Sequence, residues 1–164
     1  MNRRMPRIGL INNRRYMKYL IISMAIGIMT CHFTSAQDLN GVKINAVMNC
    51  EQVISKFGEP SKYAERDSGD LGVDKYYYYG ESYLHFNDDK LVGFCLRDPA
   101  FLALTADVDG GLKIGDSLSR LDDFKYGKPQ KYRDQYILYW NSDCPVYLIV
   151  ENGIIIGIDY NDPV

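Results

Sequence analysis

Phe57-Gly58-Glu59-Pro60-Ser61-Lys62-Tyr63 is answered later in the chain by Tyr126-Gly127-Lys128-Pro129-Gln130-Lys131-Tyr132. Both stretches place an aromatic, a Gly and a Pro at the same spacing, and both end in Lys-Tyr. A Gly after the last turn accepts the left-handed conformation, and a Pro two residues on forbids further helix. Each stretch therefore reads as a helix stop followed by a strand start. Working outward, Gly41-Val42-Lys43-Ile44 is matched by Gly111-Leu112-Lys113-Ile114. Tyr83-Leu84-His85-Phe86 is matched by Tyr147-Leu148-Ile149-Val150, with Gly93 and Gly157 ten positions after each Tyr. Spacing held through several landmarks predicts two copies of one supersecondary unit.

Each copy is expected to open with a helix. Asn49 and Gln52 make a capping box, with an earlier start near Asn45 as an alternative. Cys50, Val53, Ile54 and Phe57 then share one face. In the second copy Asp116 or Ser117 caps, and Leu118, Leu121 and Phe124 form the apolar stripe. Strands follow at 76–79, 82–87 and 90–96, then at 136–140, 146–151 and 154–160, with short additions at Lys62-Tyr63 and Lys131-Tyr132. Asn87-Asp88-Asp89-Lys90 and Glu151-Asn152-Gly153 read as tight hairpins. The expected fold class is α+β: two tandem helix–β-meander repeats, spanning 37–105 and 106–164, forming antiparallel sheet with helices packed on one face. The stretch 64–75, with Glu65, Asp67, Asp70, Asp74, Gly69 and Gly72, reads as a polar loop present in the first copy alone.

Residues 1–36 carry Arg3, Arg4, Arg7, Arg14, Arg15 and Lys18 and no acid, and 19–29 is an apolar run broken by Ser23 and Gly27. The run is shorter than the roughly 20 apolar residues a membrane span needs. With Thr34-Ser35-Ala36 behind it, the segment reads as a secretory signal peptide cleaved after Ala36. Met17 offers an alternative start, which would make 1–16 an extension. Cys31 offers a lipid-anchor alternative, although Ile28-Met29-Thr30 is a poor lead-in to such a site. The expected location is outside the cytoplasm, periplasmic or extracellular. Beyond residue 36 the chain holds 13 basic and 21 acidic residues, a net of −8. Such a surface is repelled by phosphate backbones and anionic lipid, which disfavours nucleic acid and membranes as partners.

Cys50, Cys95 and Cys144 remain after that cleavage. Their number is odd and none recurs between copies, so no disulfide framework is implied, and a single bridge stays open. Cys50 on the apolar helix face reads as a small core residue. His85 is the sole histidine beyond residue 36, and Ile149 stands at the matching place. A half-buried strand histidine is the simpler reading than a nucleophile's base. Asp107, Asp109 and Asp116 partly match a calcium loop, but Thr105 stands at the first ligand place and Asp116 closes where Glu is needed. No cofactor is expected and no catalytic residue is assigned.

With Leu84 and Phe86 on the covered side of the sheet, Tyr83 and His85 take the opposite side, where Tyr147 and Ile149 join them. Twelve Tyr and one Trp lie beyond residue 36. Tyr pairs a rigid apolar body with a hydrogen-bonding tip, which suits a recognition surface. The candidate binding residues are Tyr63, Tyr76, Tyr78, Tyr83, His85, Tyr139, Trp140 and Tyr147.

The pattern resembles the β-lactamase-inhibitor-protein-like fold, doubled. The single unit resembles the small lipoprotein of the outer-membrane β-barrel assembly machinery (SmpA/OmlA type). The residues that carry the resemblance are Gly41, Val42 and Gly58-Glu59-Pro60, then Gly111, Leu112 and Gly127-Lys128-Pro129. It implies protein binding through the sheet face or loops, without catalysis or cofactor. The expected function is an exported, non-enzymatic protein-binding or scaffold module. Alternatives are an enzyme inhibitor acting through 64–75 and a carbohydrate or small-ligand binder using exposed Tyr.

Overall fold

A computed structural model describes residues 37–139 and 145–161. The signal-peptide expectation, Cys31, Trp140 and Cys144 lie outside the described residues. The described elements are β1 (Asp38–Leu39), β2 (Val42–Lys43), α1 (Cys50–Phe57), β3 (Lys62–Asp67), a 3-10 turn (Gly69–Leu71), β4 (Val73–Tyr79), β5 (Ser82–Asn87) and β6 (Lys90–Leu96). A second 3-10 turn (Leu118–Leu121), β7 (Gln130–Tyr132), β8 (Gln135–Leu138), β9 (Val146–Glu151) and β10 (Ile154–Asn161) follow.

Strands β3 to β10 form one antiparallel sheet in the order β3-β4-β5-β6-β10-β9-β8-β7. Two four-stranded meanders thus lie side by side, joined at their last strands. The seam pairs Cys95 with Asp159 and Phe94 with Tyr160. Turn chemistry builds the hairpins. Asp88 and Asp89 stand at φ 45° and 65°, and Asn152 and Gly153 at 52° and 78°. These are left-handed values that match the twist of a two-residue hairpin.

This architecture corrects the expected fold class. The chain is mostly β, with one continuous eight-stranded sheet and one α-helix among the described residues, not two helix-packed α+β repeats. Helix α1 forms as its capping box predicts: Asn49 and Gln52 exchange side-chain-to-backbone hydrogen bonds, both 2.9 Å. The second helix does not form. The Leu118 N–H donates to the Gly153 carbonyl and the Ile155 N–H donates to the Asp116 carbonyl, so the β9–β10 turn and the start of β10 claim backbone groups that would start a helix. What remains is a 3-10 turn, capped at 3.3 Å by Ser117 Oγ accepting from the Ser119 N–H. Cys50 is also corrected, because it is exposed on the first turn of α1. The 64–75 stretch is largely strand: β3 and β4 pair from Lys62↔Tyr78 to Asp67↔Val73, leaving only the tip around Gly69–Leu71.

One side of the sheet is covered. Tyr77, Leu84, Phe86, Phe94, Leu96, Leu148, Ile155 and Ile158 point to it and form one buried cluster that includes Val53 of α1. Leu39, Phe101, Leu104, Leu112, Leu121 and Phe124 from the connecting segments complete this layer. Asp38 is buried beneath it and accepts from Thr105 Oγ1 at 2.6 Å, from the Ala106 N–H at 3.0 Å and from the Gly41 N–H at 3.1 Å. Buried and bonded in this way, its carboxyl ties β1 to the 105–106 turn.

Candidate functional site: an aromatic cluster on the second sheet face

Side chains alternate across a strand, so residues between the core positions share the opposite face. The pairing registers place Lys62, Tyr78, Tyr83, Cys95, Asp159, Tyr147, Ile137 and Gln130 in one row that crosses all eight strands. Ala64, Tyr76, His85 and Gly93 form the adjoining row. Most of these side chains are half-buried, because they pack on one another rather than under a helix.

The centre of this face is a ring cluster. Tyr76 stacks flat on His85, with centroids 4.5 Å apart and planes 6° off parallel. Tyr76 meets Tyr83 edge-on at 5.9 Å and Tyr78 at 6.4 Å, and Tyr78 lies 5.8 Å from Tyr83. Lys62 Nζ sits 5.2 Å above the Tyr78 ring, within cation–π reach. Burial raises the phenol pKa of Tyr76, with the Asp74 charge adding to it. The same holds at Tyr83, where burial leads and Cys95 and Asp159 follow. Both therefore present neutral hydroxyls.

Asp74 anchors the cluster from below. Its carboxylate accepts from Ser68 Oγ at 2.7 Å and from Asn87 Nδ2 at 3.1 Å, and it faces His85 Nε2 at 2.9 Å. These bonds, Ser68 first, pull the carboxyl down to about 2 against partial burial. Ser68 is thus bonded to the acid and not to the imidazole, which is a different arrangement from a nucleophile activated by histidine. Asn87 Nδ2 also holds the Leu71 carbonyl at 2.9 Å, so the same group fixes the hairpin tip.

Beyond the rings, Arg97 grips Asp159 with both guanidinium nitrogens, at 2.5 and 2.9 Å. Burial, then the neighbouring Asp159 charge, pushes the Cys95 thiol up to about 11, which leaves it protonated and unreactive at neutral pH. Cys50 and Cys95 are free thiols.

Of the candidate binding residues, Tyr76, Tyr78, Tyr83 and His85 are brought together, and Tyr147 stands further along the same row, four strands from Tyr83 counting both. Tyr63 is exposed but lies on the core side of the edge strand β3, 5.1 Å from the Tyr77 ring. Partial burial and its 2.5 Å bond to Glu65 hold its phenol at about 12. Tyr139 is corrected from a surface position. At φ 56° it turns inward after β8, is 8% exposed, and its hydroxyl donates to the Asp107 carboxylate. Sequence reasoning passed over Asp74, Arg97 and Asp159. Asp74 was hidden by the loop reading of 64–75, although its alternation with Tyr76 and Tyr78 is visible in the sequence.

Two of the three carboxylates of the calcium alternative, those of Asp107 and Asp116, are held by other partners. Asp107 binds Lys125 Nζ at 2.7 Å and the Tyr139 hydroxyl. Asp116 accepts from the Lys113 N–H at 3.0 Å and pairs with Arg120. Arg120 also donates to the Asp109 carbonyl at 2.7 Å. Among the described residues no group of three His, Cys, Asp or Glu side chains is placed to hold a metal ion. Likewise, no described helix is long and apolar enough to cross a membrane.

No family model matches the chain, and no curated protein matches it. Among solved structures, an extracellular protein containing an SCP domain from Bacillus anthracis str. Ames is similar at 16% identity with a TM-score of 0.47. The match covers 73% of this chain and 44% of that one, so the chain spans less than half the length of that protein.

Proposed function

We propose that this chain is an exported, non-enzymatic binding module that docks a protein partner on the second sheet face. Tyr76, Tyr78, Tyr83 and His85 form the centre of the contact and Tyr147 its far end. The observation that carries this reading is the ring cluster itself: Tyr76, Tyr78 and Tyr83 in mutual contact, with His85 stacked on Tyr76, on the face opposite the core. Preorganised aromatic groups with polar tips lose little freedom on binding and supply most of the affinity at protein interfaces. The Asp74 network supports it by fixing the cluster to two strands and a turn. Export is supported by the basic, then apolar start of the chain, and the acidic remainder favours a protein over nucleic acid or anionic membrane.

The test is affinity capture from envelope extract with the immobilised chain, run beside Tyr83→Ala and Tyr126→Ala. Tyr126 is exposed and lies outside the cluster. A partner held by the parent and by Tyr126→Ala, but lost with Tyr83→Ala, is the expected result. A partner retained equally by all three would refute the assignment of this face.

A further inference from the structure

We infer that the sheet's two free edges fit each other, so that a second copy of this chain docks head to tail, its β3 beside the β7 of the first. Among the described residues no strand pairs with the outer side of β3 or of β7. Every residue of β7 is exposed, as is every residue of β3 except half-buried Ala64.

Charge separates the two edges. On the core side, β3 presents Glu65 and Asp67, whereas β7 presents Lys131, with Arg133 in the turn just beyond. Among the described residues the acids of β3 form no ion pair, although Lys75 across the strand feels the Glu65 charge. Lys75, opposite Glu65, is bound to Asp89 at 2.6 Å, and Glu65 accepts the neutral Tyr63 hydroxyl. Asp67 accepts a backbone N–H from Gly69. On β7, Lys131 lies 6.0 Å from the Tyr136 ring and Arg133 5.3 Å from that of Tyr132, and among the described residues neither is paired with an acid.

Topology supplies the direction. Eight alternating strands leave β3 and β7 running oppositely, so a second copy shifted along the sheet brings them together antiparallel with matching faces. Setting Lys131 opposite Glu65 places Tyr132 opposite Ala64 and Gln130 opposite Arg66. Sliding by two residues sets Lys131 opposite Asp67 and Tyr132 opposite Arg66. Both registers bring opposite charges together. Symmetric pairings do the reverse. Two β3 edges centred on Ala64 oppose Lys62 to Arg66, and centred on Glu65 they oppose that acid to itself. Two β7 edges centred on Lys131 oppose Lys131 to itself. Like charges directly opposite destabilise a strand pair. Charges on an edge ordinarily block pairing; here their distribution blocks the like-with-like contacts and leaves the unlike one. The product is a heterologous contact, which continues into a chain or closes into a ring.

Sedimentation velocity of the full chain, from micromolar to about 1 mM at low salt, reads this directly. Reversible association is expected, weakening as salt is raised, because the pairs are solvent-exposed. Glu65→Lys with Asp67→Lys makes both edges basic, and Lys131→Glu with Arg133→Glu sets acids against the acids that β3 carries on its core side. Each variant alone should associate at least about tenfold more weakly, and an equimolar mixture should regain the parental association. Circular dichroism confirms that each variant is folded. A parent that stays monomeric at low salt, association that strengthens with salt, or a mixture no better than its components would each overturn the proposal.

Discussion

Asp74→Asn should remove a pH-dependent share of stability that the parent holds only above pH 4. In the folded chain the carboxyl titrates at about 2, against 3.8 when it is free, because Ser68, His85 and Asn87 bond its charged form. Its folded value is depressed, so the ionised carboxylate stabilises the fold above the unfolded value. That contribution is lost as pH falls from about 4 to about 2. At 1.36 kcal/mol per pH unit the limit is about 2.5 kcal/mol. The side chain keeps 17% of its exposure, and allowing for solvent screening brings the expected loss to about 1–2 kcal/mol. Asparagine keeps an acceptor for Ser68 and the shape of the site, so the substitution removes chiefly the charge. Urea unfolding of parent and variant at pH 7, 5, 4, 3 and 2 measures it. The two curves should differ by that amount at pH 7 and 5, then converge between pH 4 and 2. A gap that persists unchanged at pH 2 would refute the assignment to ionisation.

Leu84→Ala, at a fully buried position under the sheet, should cost about 2–5 kcal/mol in the same unfolding assay. Gly93→Ala should cost about 1–3 kcal/mol, because a Cβ there would meet the Tyr160 backbone carbonyl oxygen at 2.9 Å and force the seam apart. Gly157→Ala should also cost about 1–3 kcal/mol, because the new Cβ would meet Ile149 Cδ1 at 2.9 Å and Arg97 Nη1 at 2.8 Å, displacing the guanidinium from Asp159. Cys95 should resist iodoacetamide at pH 8 in the native chain and react on unfolding, as mass spectrometry of the alkylated peptides would record; full labelling without urea would contradict its protonated, half-buried state.

Local chemistry was legible where it was self-contained. The turns at Asp88-Asp89 and Asn152-Gly153 and the box at Asn49 and Gln52 need only neighbouring residues, and each formed where the sequence put it. The alternation of Ser82 to Asn87 likewise separated Leu84 and Phe86 from Tyr83 and His85. What could not be read were outcomes decided by distant partners. Leu118, Leu121 and Phe124 have helical spacing, but the β9–β10 turn and the start of β10 take the backbone of Leu118 and Asp116. The β3 strand has no apolar alternation because its place at the sheet edge leaves both its faces wet, so it passed for loop. Tyr139 looked like another surface tyrosine until its inward turn met Asp107, 32 positions earlier. For the site, the rings were visible and the acid beneath them was not.

The seam between β6 and β10 has a consequence for biogenesis. Arg97 and Asp159, which clasp across it, are 62 positions apart. At a ribosome or a translocation pore the first meander emerges complete while β6 still lacks its neighbour. Until Ile154–Asn161 has emerged, that strand is a bare, apolar template open to any passing chain. The eight-stranded sheet can therefore close only late, when β10 seats against β6 and Arg97 meets Asp159.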